Sequence, residues 1–215
     1  MLELRLNNVY TGNMKVKDNS VNMESAARKY HHGDLRSALV AAGLELLKER
    51  TVDDLSLREV ARHVGVSATA VYRHFPDKQA LHYAMSQQGA DELGASQANA
   101  VADAGGGMPG FEAAGRAYVL FALANPGLYR LMMTTKSSAD HYEIDSSAMG
   151  SAMQLLKNCV AEVLPPSASP LEHKVMALHA WSLVHGISML MLDGLVAPDG
   201  EVIDALVTMP ISQLA

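Results

Sequence analysis

Thr69, Tyr72 and Arg73, with Ala68 beside them, are the residues of this chain best suited to reading another molecule. They lie at i+3 and i+4 steps within the stretch Leu57–Phe75, LREVARHVGVSATAVYRHF, so on a helix they share one face. That face offers a methyl group, a hydroxyl, a phenol and a guanidinium. Such a helix slides into a DNA major groove and carries its longer side chains to phosphates or base edges. Other chemistries find little support. His141, His173, His179 and His185 never pair at i, i+4, and His179 and His185 fall on different helix faces. With a single cysteine, Cys159, and no His/Glu ligand box, no metal site is expected. The sequence shows neither a nucleotide-binding loop nor a nucleophile elbow, so no catalytic residue and no cofactor are assigned.

Two short helices and the turn between them must hold this face. Leu57, Val60, Ala61 and Val64 fall at i, i+3, i+4 and i+7, one apolar stripe. Gly65 stands where a helix end favours a left-handed residue, and Ser67 is a good N-cap for the helix that follows. Val71 and Phe75, four apart, turn inward. Pro76 stops this second helix, and Asp77 caps the next. Lys78 lies in that helix's first turn, where a cation opposes the dipole unless a phosphate binds beside it. Periodicity alone also fits a plain helical hairpin whose second helix merely packs.

A longer pattern separates the two readings. Tyr30–Leu81, with YHHGDLR, the Leu57–Val66 helix and turn, AVYRHF and PDKQAL, resembles the DNA-binding domain of the tetracycline-repressor (TetR) family. The match includes that family's Tyr-x-His-Phe followed by Lys-x-x-Leu. The resemblance implies an all-α protein, an N-terminal helix-turn-helix DNA-binding domain followed by a C-terminal helical ligand-binding and dimerisation domain. It implies operator contacts from Thr69, Tyr72, His74 and Lys78, with Arg73 reading a base or a phosphate. Ser56, Ser67 and Ala68, at the two helix starts, complete the DNA-contacting set. The partners implied are double-stranded DNA with a palindromic operator, a second copy of the chain, and a small-molecule effector that releases a repressor.

Charge permits this reading. Residues 1–88 carry 12 Lys and Arg against 10 Asp and Glu, a net of +2. Residues 89–215 carry 5 against 13, a net of −8, within an overall −6. A DNA-binding protein need be basic only along the face that meets phosphate, and the acidic remainder orients the basic end toward DNA.

Along the chain, residues 1–23 read as a flexible tail with no apolar run of a signal peptide, and Met14 and Met23 are alternative starts. Residues 24–98 form the DNA-binding unit. Its basic lead-in, Arg28, Lys29, His31 and His32, serves either as an arm on the DNA backbone or as a solvated approach. A first helix at about Gly33–Arg50 turns Leu35, Leu39, Ala42 and Leu46 inward, and a connecting helix runs from Asp77 to about Ala98. Gly105, Gly106, Gly107, Pro109 and Gly110 make 99–110 a linker that leaves the connecting helix loosely tied.

Residues 111–215 are helical in pattern. In Phe111–Asn125 the only charges are Glu112 and Arg116, which either pair across one turn or leave Arg116 for an anionic ligand. A polar loop, Lys136–Asp145, precedes an amphipathic helix at Ser146–Leu164, and a last helix falls at about Glu201–Met209. Val175–Leu192 runs eighteen residues without Asp, Glu, Lys or Arg, the length of a membrane span. His179, Ser182, His185 and Ser188 within it argue instead for a helix covered by its own core on one side and a second subunit on the other. No membrane is expected, and with one cysteine and no signal the location is cytoplasmic.

Trp181–Gly186, WSLVHG, resembles the Trp-His-Gly signature of the C-terminal domain in one TetR subfamily. An effector pocket would draw its wall from Tyr118, Phe121, Tyr129, Met132, Met133, Trp181 and His185, whose alternative is plain core packing. The Met-rich, nearly uncharged composition favours a largely apolar effector. Two rival classes stay open: an effector-blind DNA-binding or architectural protein, and an enzyme built on the C-terminal helical domain.

Overall fold

The computed structural model describes residues 35–135 and 150–208. The 1–23 tail, the basic lead-in, the Lys136–Asp145 loop and the start expected for the following helix lie outside the described residues. Within them the chain is all-α. The helices are α1 (Leu35–Leu47), α2 (Leu57–Val64), α3 (Ala68–Tyr72), α4 (Lys78–Asp103), α5 (Gly107–Ala124), α6 (Pro126–Thr134), α7 (Gly150–Val163), α8 (Pro170–Leu192) and α9 (Gly200–Thr208).

Local chemistry sets the first three. Ser56 and Ser67 cap α2 and α3, accepting from Glu59 N at 3.2 Å and Ala70 N at 3.3 Å. α2 ends on Gly65 at φ 79°, and Val66 N donates to Ala61 O at 2.9 Å. A left-handed residue at this point is what turns α3 across α2, and glycine enters it without a Cβ clash. Beneath the turn, Val71 and Phe75 are buried in the same core as Leu39, Val60 and Leu81.

α4 is the spine shared by both halves. Its first turns carry Leu81, Ala84 and Met85, and Met85 fits against the bare backbone of Gly43 in α1. Its later turns carry Leu93, Gly94 and Gln97. A Cβ on Gly94 would stand 2.7 Å from Ser151 Oγ and 3.1 Å from Ala152 N, so glycine is what lets α7 lie on α4. Ser151 Oγ seals that seam by donating to Ala90 O at 3.0 Å. The hydrophobic core runs unbroken from Leu39 in α1 to Ile203 in α9.

Residues 99–110 are not the linker their glycines suggest. The alanine-rich 98–103 continues α4 to Asp103, and α5 already begins at Gly107. The turn between them closes through Gly106 N to Val101 O at 3.1 Å. Glu162 of α7 then accepts from Gly107 N at 3.0 Å, an anion on the N-terminus of α5. The end of α4 is therefore fastened rather than loose.

Two ion pairs join helices that no local spacing rule connects. Arg116 pairs with Asp204 of α9 rather than with Glu112, and Arg130 of α6 pairs with Asp193 at the end of α8. α8 begins five residues before its apolar run, because Ser169 and Glu172 form a capping box ahead of Pro170 at the first turn. It is long and apolar enough to cross a membrane by length and composition. One face of it nonetheless packs inward through Ala177, Val184, Ile187, Ser188 and Met191. The other face leaves Leu171, Val175, Leu178 and Leu190 exposed.

Candidate nucleic-acid interface and apolar cavity

α3 is five residues long and is held from below by its inward side chains. Phe75 is fixed from two directions, by the core and by Arg36, whose guanidinium carbon lies 5.1 Å from the ring centroid. With that anchor set, Thr69, Tyr72, Arg73 and His74 all emerge to solvent, and Tyr72 is 48% exposed. Its phenol thus stays half-exposed over a buried Val71 and Phe75. Ala68 is half-buried at the start of the helix. Ser56 and Ser67 are exposed, but each has an oxygen lone pair committed to its cap.

Lys78 sits differently from the expectation for a free cation in a first helical turn. Its Nζ donates to Asp53 O at 2.7 Å, bridging α4 to the loop before α2. This bond relieves the unfavourable placement on the helix dipole. An ammonium has three donors, so two remain for a phosphate. Arg50, at the solvent end of the expected first helix, and Arg62 flank Glu59 at 2.9 and 3.7 Å and add positive charge around α2.

Behind this head, α4, α5, α7, α8 and α9 surround an apolar cavity of about 80 Å³. Tyr118 and Trp181 line it, as their place in the sequence led us to expect. Gln97, Leu156, Cys159 and Val207 line it too, and none of these was expected. Tyr129 and His185 stand behind the wall in one hydrogen-bonded chain. Trp181 Nε1 lies 3.3 Å from the Tyr118 hydroxyl, which lies 3.1 Å from that of Tyr129, which lies 2.8 Å from His185 Nδ1.

An indole nitrogen only donates, so Tyr118 accepts from Trp181. Either hydroxyl can donate in the bond between Tyr118 and Tyr129, and the tautomer of His185 sets which way the proton lies in the last one. Burial lowers the pKa of His185 and raises those of Tyr118 and Tyr129, which keeps all three groups uncharged. Burial likewise pushes the Cys159 thiol up, away from reactive thiolate.

Phe121, Met132 and Met133 do not line the cavity. Met132 is buried, and Phe121 and Met133 pack against the same core. Met132, with Leu128, instead fills the space left by Gly89 on α4. An apolar residue type cannot distinguish a cavity wall from a packed core, and these three belong to the core. Gln97 had a readable signal: an amide side chain in phase with Leu93 and Gly94 on the buried face of α4. Among the described residues, no three His, Cys, Asp or Glu side chains converge to hold a metal; His141 lies outside them.

A helix-turn-helix head on an α-helical body with a half-open apolar cavity is the build of a transcriptional regulator. The chain matches the model of bacterial regulatory proteins of the tetR family over residues 39–85, and that of the tetracyclin repressor-like C-terminal domain over residues 111–214. The second match contains the WSLVHG run. The chain is 35% identical to a protein of unknown function from Rhodococcus sp. RHA1, covering 84% of this chain and 93% of that one with a TM-score of 0.67. A tetR-family transcriptional regulator from Streptomyces coelicolor shares the fold at 20% identity, with 83% and 79% covered and a TM-score of 0.57. So does a TetR transcriptional regulator from Rhodococcus sp. RHA1, at 22% identity, 86% and 100% covered, and a TM-score of 0.52. The chain belongs to the TetR family of transcriptional regulators.

Proposed function

We propose that the protein is a homodimeric repressor that holds a palindromic operator through α3 and is released by a small, largely apolar effector. The observation that carries this reading is the position of Gln97. It belongs to α4, which five residues separate from the end of the recognition helix, and it forms part of the cavity wall. An occupant of the cavity therefore touches the same rigid element that carries the DNA-binding head. A symmetric operator fixes two recognition helices at a spacing of about 34–36 Å or a multiple of it. An effector that binds better to a dimer of different spacing releases the DNA, and one with equal affinity for both does nothing.

The second subunit has a fitting surface. Leu171, Val175, Leu178 and Ser182 follow one another at four, three and four residues along the outer face of α8, and the stripe continues past Gly186 to Leu190. Stripes of this kind on a regulator are covered by an identical copy in a two-fold interface.

The test joins the two sites. The full-length protein selects its operator from random duplex DNA, and small apolar and aromatic compounds are screened by thermal shift. Compounds that raise the melting temperature should weaken operator binding. Stabilising compounds that all leave DNA affinity unchanged would make an effector-blind regulator the better description.

A further inference from the structure

We infer that the cavity is built for a compact apolar molecule carrying one hydrogen-bond donor, a hydroxyl or N–H, received by the side-chain carbonyl of Gln97. The inference rests on the ligand-binding reading above and gives its ligand a chemical class. Gln97 is only 7% exposed and lines the cavity. Its Nε2 donates to Ala114 O of α5 at 3.1 Å. That bond fixes the amide, because the reversed orientation would set two carbonyl oxygens against each other. Oε1 is then left buried with no partner among the described residues, and a donor reaches it from the cavity only as the wall yields. Native interiors rarely leave such an acceptor unmatched, since it has lost its water and gained nothing in return.

The other polar atoms on the wall narrow the choice. The Trp181 N–H is donated to the Tyr118 hydroxyl, whose oxygen is also bonded to that of Tyr129. Among the described residues no lysine, arginine or histidine lines the cavity, so none of them would neutralise a carboxylate or phosphate there. The remaining wall is aliphatic, aromatic and thiol. Size sets a further bound: the volume of about 80 Å³ is roughly half of the ~150 Å³ that encloses benzene in a dry engineered cavity. A ring-sized ligand must therefore shift an adaptable side chain such as Met153, or leave its far edge in the mouth.

The experiment compares phenol with toluene, molecules of nearly equal shape that differ by a hydroxyl, on the full-length protein by calorimetry. Wild type should bind phenol about tenfold more tightly, the usual worth of one hydrogen bond to a buried acceptor. Anisole, whose oxygen accepts but cannot donate, should bind no better than toluene, and this comparison needs no variant. In Gln97→Leu the preference should fall to near unity while toluene binding persists. Equal binding of phenol and toluene by wild type, a preference that survives Gln97→Leu, or no binding of either compound would overturn the inference. Phenol binding that depends on Gln97 but leaves operator affinity unchanged would instead refute effector release and leave this assignment standing.

Discussion

Tyr129→Phe probes the centre of the helical body with the least disturbance. The phenyl ring keeps its edge-on packing against Tyr118, with centroids 5.8 Å apart, and only the hydroxyl is lost. Its hydrogen bonds at 3.1 Å to Tyr118 and 2.8 Å to His185 go with it. At about 1 kcal/mol each, its removal should destabilise the fold by about 2 kcal/mol. Tyr118→Phe also removes two bonds, the one from Trp181 and the one shared with Tyr129, for a similar loss. The double variant removes three bonds in all, not four. Its loss should be about 3 kcal/mol, a coupling of about 1 kcal/mol between the two positions. Urea unfolding of the four proteins at neutral pH measures this, provided the slopes agree. Additivity to within about 0.3 kcal/mol would refute the bond between Tyr118 and Tyr129.

Three further outcomes are expected. Gly65→Ala should destabilise the protein by about 1–2 kcal/mol, since no described atom lies within 4 Å of the new Cβ and only the left-handed backbone at φ 79° is strained; an unchanged unfolding midpoint would deny that turn. Burial lowers the pKa of His185, and burial followed by the Lys78 charge lowers that of His82. The unfolded chain therefore protonates first, near the ordinary value of 6.5, so their contribution is complete above that pH and is lost as pH falls toward the folded values. Melting temperature should drop between about pH 7.5 and about pH 5.5, and less so in a His82→Gln/His185→Gln variant; equal drops would remove these residues from the account. Leu178→Asp places an uncompensated charge in the apolar stripe of α8 and should yield monomer in sedimentation at micromolar concentration; wild type that already sediments as a monomer would reject the dimer.

The parts of this fold that were legible in the sequence are those fixed by neighbours. Ser56, Gly65, Ser67 and Asp77 announce their caps within a few residues, so the helix-turn-helix follows from side chains adjacent along the chain. The inward pair Val71 and Phe75 follows from the same local period. What failed depended on partners far along the chain. Arg116 meets Asp204 because α9 folds back on α5, which the nearby Glu112 concealed. The glycines at 105–107 looked like a loose linker, while the alanines before them and Glu162 across from them made a tight, tied corner. Tyr118 and Trp181 reached the cavity, yet Phe121, Met132 and Met133 did not, because side-chain type alone does not record which seam closes. Gln97 was visible as a polar residue on an apolar face, but only the packing of α4 on α5 gives it that meaning.

The most direct test of the regulator reading is DNA binding itself, measured by fluorescence anisotropy across a range of salt concentrations on duplexes selected from a random pool. Wild type should enrich a palindrome with half-sites about 34–36 Å apart or a multiple of that spacing. Tyr72→Ala and Lys78→Ala should each weaken binding, and Lys78→Ala should also lower the salt slope by about 1, the signature of one lost cation–phosphate contact. In Lys78→Ala the bond to Asp53 O is lost as well, so its affinity should fall further than that of Tyr72→Ala. Failure to enrich any symmetric site, or unchanged affinity and slope in both variants, would contradict the assignment of α3 and the start of α4 as the DNA-binding face.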